Sequence, residues 1–483
     1  MSVLNVVTVK PEQAVYTLVV GLGKTGLSVV RYLRALGEAV IVVDSRDIPP
    51  GLNVLKEEYG DVECITGRFD RKVFVNAHRI VVSPGVALNE PALLEARKNN
   101  IEIIGDIDLF AHEAMAPVVG ITGSNGKSTV TTLVTLMAAK AGLNAVAGGN
   151  IGTPVLETLD DDVALYVLEL SSLQLETLNY LPMKAAVVLN ISADHMDRYQ
   201  DINDYRHVKE TIYNHCENKV INKQEQDILA NYCDEKVILF GSDRADGDDY
   251  GISYSYGKAR LTRGNEVLLS EDNIKLKGTF NYLNILAAIA LLQPLHLNKQ
   301  KLITAIQEFK GLTHRCEWIT AINHVDFYND SKGTNPGATI AALNSFSQPE
   351  ILIAGGVGKD ADFTELGILM SEKIKACVLL GTDADKIKAA ALRAGTKLDL
   401  IHQVNSMQEA INTAFKLAER GDVVVFSPAC ASFDMYKNYI ERGEDFTHRV
   451  LELGKKYIDK NDFIEQLDSS QRGDERGGYQ NAS

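Results

Sequence analysis

Two short glycine-rich stretches, each followed by a lysine, carry the most chemistry in this 483-residue chain. GLGKTG spans Gly21 to Gly26 and GSNGKST spans Gly123 to Thr129. Each has an apolar run before it and a helical pattern after it. Backbone N–H groups in such a turn, and the helix N-terminus beyond it, suit a phosphate. In the first, Gly21 makes the tight turn, Gly23 lets an anion approach the backbone and Gly26 lets the helix pack closely. AVIVVD then ends on Asp44, where a dinucleotide site would hold a ribose. The pattern specifies a phosphate-friendly turn without choosing the nucleotide, so NAD, another diphosphate and a purely structural turn all stay open.

The second stretch is richer. Ile121 stands where the strict G-x-x-x-x-G-K-[ST] pattern needs its first glycine, yet the working parts remain. Gly123, Ser124, Asn125 and Gly126 form a small-residue loop, Lys127 supplies a cation, and Ser128 supplies a hydroxyl suited to Mg²⁺. Val130, Leu133, Val134, Met137 and Ala141 lie on one face of the helix that must follow.

Further candidates stand at strand ends. Glu169 closes the apolar run LYVLE, and a carboxylate there can hold Mg²⁺, although a solvated glutamate reads equally well. His195 follows AAVVLN in a loop, where a histidine is as often a structural hydrogen-bonder as a ligand. Lys209 lies within a helical pattern, for which a solvated side chain is the default. Asn281 and Asn284 are one turn apart among apolar neighbours, and an N-cap role accounts for one of them only. Arg315, Asp330, Lys332, Lys359 and Ser432 lie at or beyond strand ends and junctions, so that together they line a cleft better than they fit ordinary surface charge.

The elements that must position these residues are α/β throughout. Strand and helix patterns alternate from Tyr16 to about Ile104, again from about Gly105 to Gly311, and a third time after THRCEW. Three α/β domains with parallel sheets are predicted, over 1–105, 106–311 and 312–465, with a polar, unordered tail over 466–483. Residues 241–277 are Gly- and Asp-rich and read as hairpins within the second domain. A length of 483 residues agrees with about three domains. A net charge of −15 with no basic block excludes a nucleic-acid-binding role. No apolar run is long enough to span a membrane and no signal peptide is visible, which points to the cytoplasm. The six cysteines show no metal spacing.

Taken in order, GSNGKST, LELSSLQLE, NISADHMDRY, YRHVK, the Asn281/Asn284 pair, HRCEW, NDSKGTNP and SPACASFDMYKNYIERG resemble the motifs of the Mur ligase family from about Tyr16 to Val450. The last resembles the amino-acid pocket of the D-glutamate-adding branch. The resemblance implies a Rossmann-like UDP-binding first domain, a P-loop-like ATPase domain and a Rossmann-like third domain. It implies an ATP-dependent amide ligase that joins D-glutamate to UDP-N-acetylmuramoyl-L-alanine through an acyl phosphate, in peptidoglycan precursor synthesis. The first glycine stretch then serves a UDP diphosphate, not NAD.

Residue by residue, the resemblance gives Gly21, Gly23, Lys24, Thr25, Gly26, Asp44, Ser45, Arg46, Ser83 and Gly85 to the UDP-substrate. It gives Gly123 to Thr129, with Asn150, Asn281, Asn284, Arg315 and Asp330, to ATP. Ser128 and Glu169 hold one Mg²⁺, and His195 with a CO₂-carbamylated Lys209 holds a second. His195, Lys332, Thr334, Lys359, Ser432 and Tyr439 take D-glutamate, with Tyr439 standing where the family often has Phe. Lys127, Glu169, His195 and Lys209 are the catalytic set. A monomer is expected, with a hinge near Gly311 to Arg315. A sister ligase adding another amino acid, a folylpolyglutamate synthase and a non-catalytic UDP-sugar sensor remain the alternatives.

Overall fold

The computed structural model describes residues 15–194, 196, 198–232, 237–276, 278–346 and 348–474, the stretch 458–474 as backbone only. Three sheets follow one another along the chain. The first holds β1 (Thr17–Val20), β2 (Val40–Asp44), β3 (Glu63–Thr66), β4 (Arg79–Val82) and β5 (Glu102–Ile104), all parallel, in the order β3-β2-β1-β4-β5. TLVV of β1 is wholly buried, as expected of a strand covered on both faces. Chain order reverses between β1 and β4, and a crevice opens beyond their carboxyl ends at such a switch point. A Cβ on Gly26 would lie 1.9 Å from the Gly21 carbonyl oxygen, so helix Lys24–Ala35 can pack this closely only with glycine there.

The second sheet comprises β6 (Val118–Thr122), β7 (Ala145–Gly149), β8 (Leu165–Glu169), β9 (Ala185–Val188), β10 (Lys219–Asn222), β11 (Ile238–Phe240), β12 (Tyr250–Ser255), β13 (Lys258–Arg263) and β14 (Glu266–Ser270). Its order is β14-β13-β12-β11-β10-β9-β6-β8-β7. The polar stretch after Gly241 does form hairpins: β12, β13 and β14 are antiparallel at the sheet edge. Tyr256 and Gly257, with φ of 50° and 76°, form the two-residue turn between β12 and β13, a backbone that matches strand twist. Helix Thr279–Leu292 is buried over nearly its whole length and packs with helix Lys127–Ala141 in one apolar core.

The third sheet holds β15 (Glu317–Ile322), β16 (Val325–Asn329), β17 (Glu350–Ala354), β18 (Ile374–Leu379), β19 (Ile401–Gln403) and β20 (Val423–Phe426), in the order β15-β16-β20-β17-β18-β19. Sequence reading did not anticipate β15, which pairs antiparallel with β16. Its run WITAI has half-buried residues on both faces and no clean alternation to betray it. The parallel expectation therefore holds for the first sheet and for all but one edge of each of the other two, where β12–β14 and β15–β16 are antiparallel. The final helix, Tyr439–Asp474, runs past residue 465, where an unordered tail was expected to begin. Residues 475–483 lie outside the described set.

Candidate active site

The first cleft opens at the β1/β4 switch point. Gly21, Gly23, Lys24, Thr25, Asp44, Ser45, Arg46, Ser83 and Gly85 all line it, and Gly26 lies behind it in the helix–strand contact. Ser83 Oγ donates to the Gly21 carbonyl at 3.0 Å, so the two loops form one wall. Asp44 is tied down internally: it accepts from Leu22 N at 2.7 Å and from the backbone N, Nε and Nη2 of Arg46 at 2.9, 2.8 and 2.6 Å. Burial pushes its carboxyl up, but these donors outweigh burial and hold it below the usual range. The opposite wall comes from the second unit, through Gly149, Asn150, Gly152, Pro154 and Gln174.

The phosphate loop leaves β6 with Gly123 and Gly126 at φ of 143° and 86°. Asn190, two residues beyond β9, braces it: its Oδ1 accepts from Asn125 N at 2.8 Å and its Nδ2 donates to the Asn125 carbonyl at 3.1 Å. Lys127 Nζ folds back to donate to the carbonyls of Gly123 and Ser124 at 2.6 and 2.9 Å. Burial lowers its pKa, with Arg315 adding to the effect and Glu169 and Asp194 opposing it. Lys209 is not solvated: it is 1 % exposed near the end of helix Ile202–Glu210, and its Nζ donates to the Gly123 carbonyl at 3.1 Å. Burial first, then Lys127, push its pKa well below the ordinary value.

Glu169 ends β8 beside this loop, 2 % exposed. One carboxylate oxygen accepts from Asn150 Nδ2 at 2.9 Å, and the other is buried without a partner. An orphaned carboxylate oxygen next to a phosphate loop fits a hard divalent cation. Among the described residues no cluster of three His, Cys, Asp or Glu surrounds such a position. His195 lies outside the described residues.

A second cleft brings Asn125, Gly126, Thr129, Asn281, Asn284, Arg315, Asp330 and Lys332 together, from the second glycine-rich stretch, the Asn281/Asn284 pair, HRCEW and NDSKGTNP. Asn281 and Asn284 sit buried in the opening turns of helix Thr279–Leu292, and Gly278 is its N-cap, which removes the capping explanation for either. Arg315 reaches from the third unit to donate to Ser128 Oγ at 2.6 Å. Asp330 accepts from Ser427 Oγ at 2.7 Å and Cys316 N at 3.1 Å, and burial pushes its carboxyl up to about 7.

Loops at the carboxyl ends of β16, β17 and β20 carry the remaining candidates. Lys332 lies over the Tyr439 ring at 4.1 Å, and burial with Arg315 lowers its pKa to about 8. Thr334 follows in the same loop and is half-buried, Ser432 is buried and Lys359 is exposed. None of these three lines the second cleft. Paired hydrogen bonds between Val357 and Ala431, 2.9 and 2.8 Å, tie the loop bearing Lys359 to that bearing Ser432.

Three family models match in chain order: the N-terminal domain of MurD-like Mur ligases at residues 15–105, the Mur ligase middle domain at 121–292, and the Mur ligase glutamate ligase domain at 314–430. The chain belongs to the Mur ligase family. A relative from Nitrosococcus oceani named UDP-N-acetylmuramoylalanine--D-glutamate ligase is 47 % identical, covering 92 % of this chain and 98 % of the relative. One of the same name from Marinobacter nauticus is 46 % identical over 89 % and 96 %. Among solved structures, MurF from Acinetobacter baumannii aligns over 90 % of this chain and 91 % of its own, with a TM-score of 0.58 at 16 % identity. A pseudomurein peptide ligase type C from Methanothermus fervidus aligns over 86 % and 97 %, with a TM-score of 0.55 at 19 % identity. These structural likenesses establish the Mur ligase fold.

Several residues of this Mur ligase site escaped sequence reading. Asp194, directly before His195, accepts from Asn335 Nδ2 at 3.3 Å, and Asn335 also exchanges hydrogen bonds with Asn125 at 3.4 and 3.5 Å. Arg442, 3 % exposed, donates to Ser331 and to the Cys430 carbonyl, pinning the loops after β16 and β20 together. Burial lowers its pKa to about 10. Asn335 and Arg442 stand inside quoted motifs, but no spacing rule separates a loop-tying residue from its neighbours.

Proposed function

We propose that this Mur ligase joins D-glutamate to UDP-N-acetylmuramoyl-L-alanine with hydrolysis of ATP to ADP and phosphate, a step of peptidoglycan precursor synthesis. The observation that carries it is the meeting of the second and third units at one glycine-rich loop, with the first cleft beside it: Arg315 touches Ser128, Asn284 abuts Gly126, and Asn150, which lines the first cleft, donates to Glu169. Relatives that are nearly half identical over nine-tenths of the chain bear the corresponding name.

A carboxylate is a poor acyl donor, so the γ-phosphoryl group passes to the L-alanyl carboxylate before the amine of D-glutamate attacks. Both reactants are anionic, and the residues act by neutralising and positioning them. In this reading the first cleft holds the UDP-substrate through Gly21 to Gly26, Asp44, Ser45, Arg46, Ser83 and Gly85. The loop Gly123 to Thr129 and Lys127 hold the phosphates, and Asn281, Asn284, Arg315 and Asp330 hold the rest of ATP. Asn150 acts by orienting Glu169. Lys332, Thr334, Lys359, Ser432 and Tyr439, with His195, take D-glutamate.

Ser128 and Glu169 would hold one Mg²⁺ and His195 and Lys209 a second, which would supply charge compensation for the anionic reactants. Lys209 serves as the carbamate: its neutral amine takes up CO₂ and loses a proton, leaving an anionic oxygen donor. Its burial and depressed pKa support a neutral amine. The domain bounds are 1–105, 106–311 and 312–465. The enzyme acts as a cytoplasmic monomer; no helix among the described residues is long and apolar enough to cross a membrane.

The deciding experiment is phosphate release from ATP with UDP-N-acetylmuramoyl-L-alanine, comparing D-glutamate with L-glutamate, D-aspartate, L-lysine and meso-diaminopimelate. Release with D-glutamate alone is expected. Release with a different amino acid would overturn the pocket assignment, and none at all would overturn the ligase reading.

A further inference from the structure

Two motifs noted in the sequence, LELSSLQLE and NISADHMDRY, meet at residues to which the proposed chemistry gives no role. Glu176 ends the first and its carboxylate accepts three hydrogen bonds from the end of the second: from Arg198 Nε and Nη2 at 3.1 and 2.5 Å, and from Tyr199 Oη at 2.6 Å. The side chains of Arg198 and Glu176 are only 19 % and 12 % exposed.

The cluster has a contact at each end. Arg198 Nη2 also donates across the unit boundary to the Val86 carbonyl at 3.2 Å, and Val86 lines the first cleft beside Ser83 and Gly85. Gln174, two residues before Glu176, lines the same cleft. On the other side the Tyr199 ring packs against Tyr205 at 5.1 Å between centroids. The Tyr205 hydroxyl accepts from Ser124 Oγ of the phosphate loop at 3.5 Å, and Lys209 Nζ stands 4.6 Å from the Tyr205 ring centroid. An unbroken run of side chains thus joins the wall of the first cleft to the phosphate loop.

We propose that Glu176, with Arg198 and Tyr199, is a positioning relay through which the UDP-substrate in the first cleft and ATP on the phosphate loop tighten each other's binding. The inference rests on the assignment of those two clefts made above. A shielded guanidinium–carboxylate fork loses hydration that apolar packing would not, so holding two units together does not by itself favour it. What the fork adds is fixed geometry, because two parallel donors admit one orientation of the loop that carries Asp194 and Arg198. Displacement of the Ser83–Val86 loop by substrate therefore shifts Arg198 and, through Glu176 and Tyr199, the packing on Tyr205. Coupling of this kind is reciprocal.

The test is calorimetric titration of the full chain with Mg²⁺ and a non-hydrolysable ATP analogue, with and without saturating UDP-N-acetylmuramoyl-L-alanine. Wild type is expected to bind the analogue about fivefold tighter or more when the UDP-substrate is present. Glu176→Gln is expected to cut that ratio below about twofold while leaving the affinity for the analogue alone unchanged, an effect that a mere structural clamp does not produce. Tyr199→Phe should give an intermediate ratio, and it carries the test if Glu176→Gln does not fold. Equal ratios in wild type and the folded variants, or no coupling in wild type, overturn the relay. D-glutamate-dependent phosphate release by the same wild-type preparation is measured alongside. Its absence sinks the ligase reading while the ratio still reports on the relay, and wild type that binds no UDP-substrate sinks both.

Discussion

Lys127 and Lys209 share one acceptor: both amino groups donate to the carbonyl oxygen of Gly123, at 2.6 and 3.1 Å. Two ammonium groups on one carbonyl repel each other. Lys209 is the one whose pKa falls well below the ordinary value, through burial first and then the charge of Lys127. The phosphate-loop lysine thereby helps keep its neighbour neutral.

A neutral Lys209 is what carbamylation requires. Lys209→Ala is expected to lower D-glutamate-dependent phosphate release by about 100-fold or more, with partial recovery on adding a short carboxylate such as propionate but not chloride. Turnover unchanged by the substitution, or recovered equally by chloride, would remove the carbamate from the mechanism.

Lys332 gives the D-glutamate step a pH signature. Its pKa is lowered to about 8 from 10.5, so the cation that would hold a substrate carboxylate is lost as pH rises through about 8. KM for D-glutamate should climb as pH rises through that value, and Lys332→Arg should flatten the part of the rise due to this residue. The linked stability has the opposite slope: between about 8 and 10.5 the unfolded chain holds a proton that the folded chain has shed, so stability grows with pH there. A pH profile of KM identical in Lys332→Arg and wild type would contradict this.

Gly126 is required by both backbone and space. It sits at φ 86°, and a Cβ there would come 2.5 Å from Asn284 Oδ1. Left-handed backbone costs a residue with a Cβ about 1–2 kcal/mol, before the clash is counted. Gly126→Ala should raise KM for ATP by about tenfold or more, because the loop must open or Asn284 must move, while binding of the UDP-substrate stays as in wild type. An unaltered KM for ATP would show that the two residues separate freely.

Gly26 tests the first unit in the same way, at the contact of helix Lys24–Ala35 with the Gly21 turn. A methyl added at Gly26 would approach the Gly21 carbonyl oxygen to 1.9 Å, and no rotamer relieves a clash with backbone. Gly26→Ala is expected to cost about 2 kcal/mol or more, seen as a fall of several degrees in the thermal midpoint. A midpoint equal to wild type would mean that helix Lys24–Ala35 can lift off the strand at little cost.

The chemistry was legible where it is local. Loop, lysine, hydroxyl and helix follow one another from Gly123 to Ala141, and the period of apolar residues marks the strands that end at Val20, Thr122 and Glu169. The same local order separated three α/β units and the hairpins after Gly241. Lys209 shows the limit, since a lysine in a polar helical run reads as solvated, and only packing against Tyr205 beneath the phosphate loop makes it buried. β15 shows another, because an edge strand lacking clean alternation is recognised by its partner β16 and not by its own pattern.

By itself the sequence determined the glycine-rich turns and the strands and helices that carry them, because turn geometry and helix period depend on near neighbours. Tertiary structure alone decided that Arg315 meets Ser128, 187 positions away, that Asn150 faces Glu169 from the neighbouring strand's end, and that Arg198 crosses to Val86. Those contacts join residues far apart in the chain or on different strands, a consequence of long-range packing that no local spacing encodes.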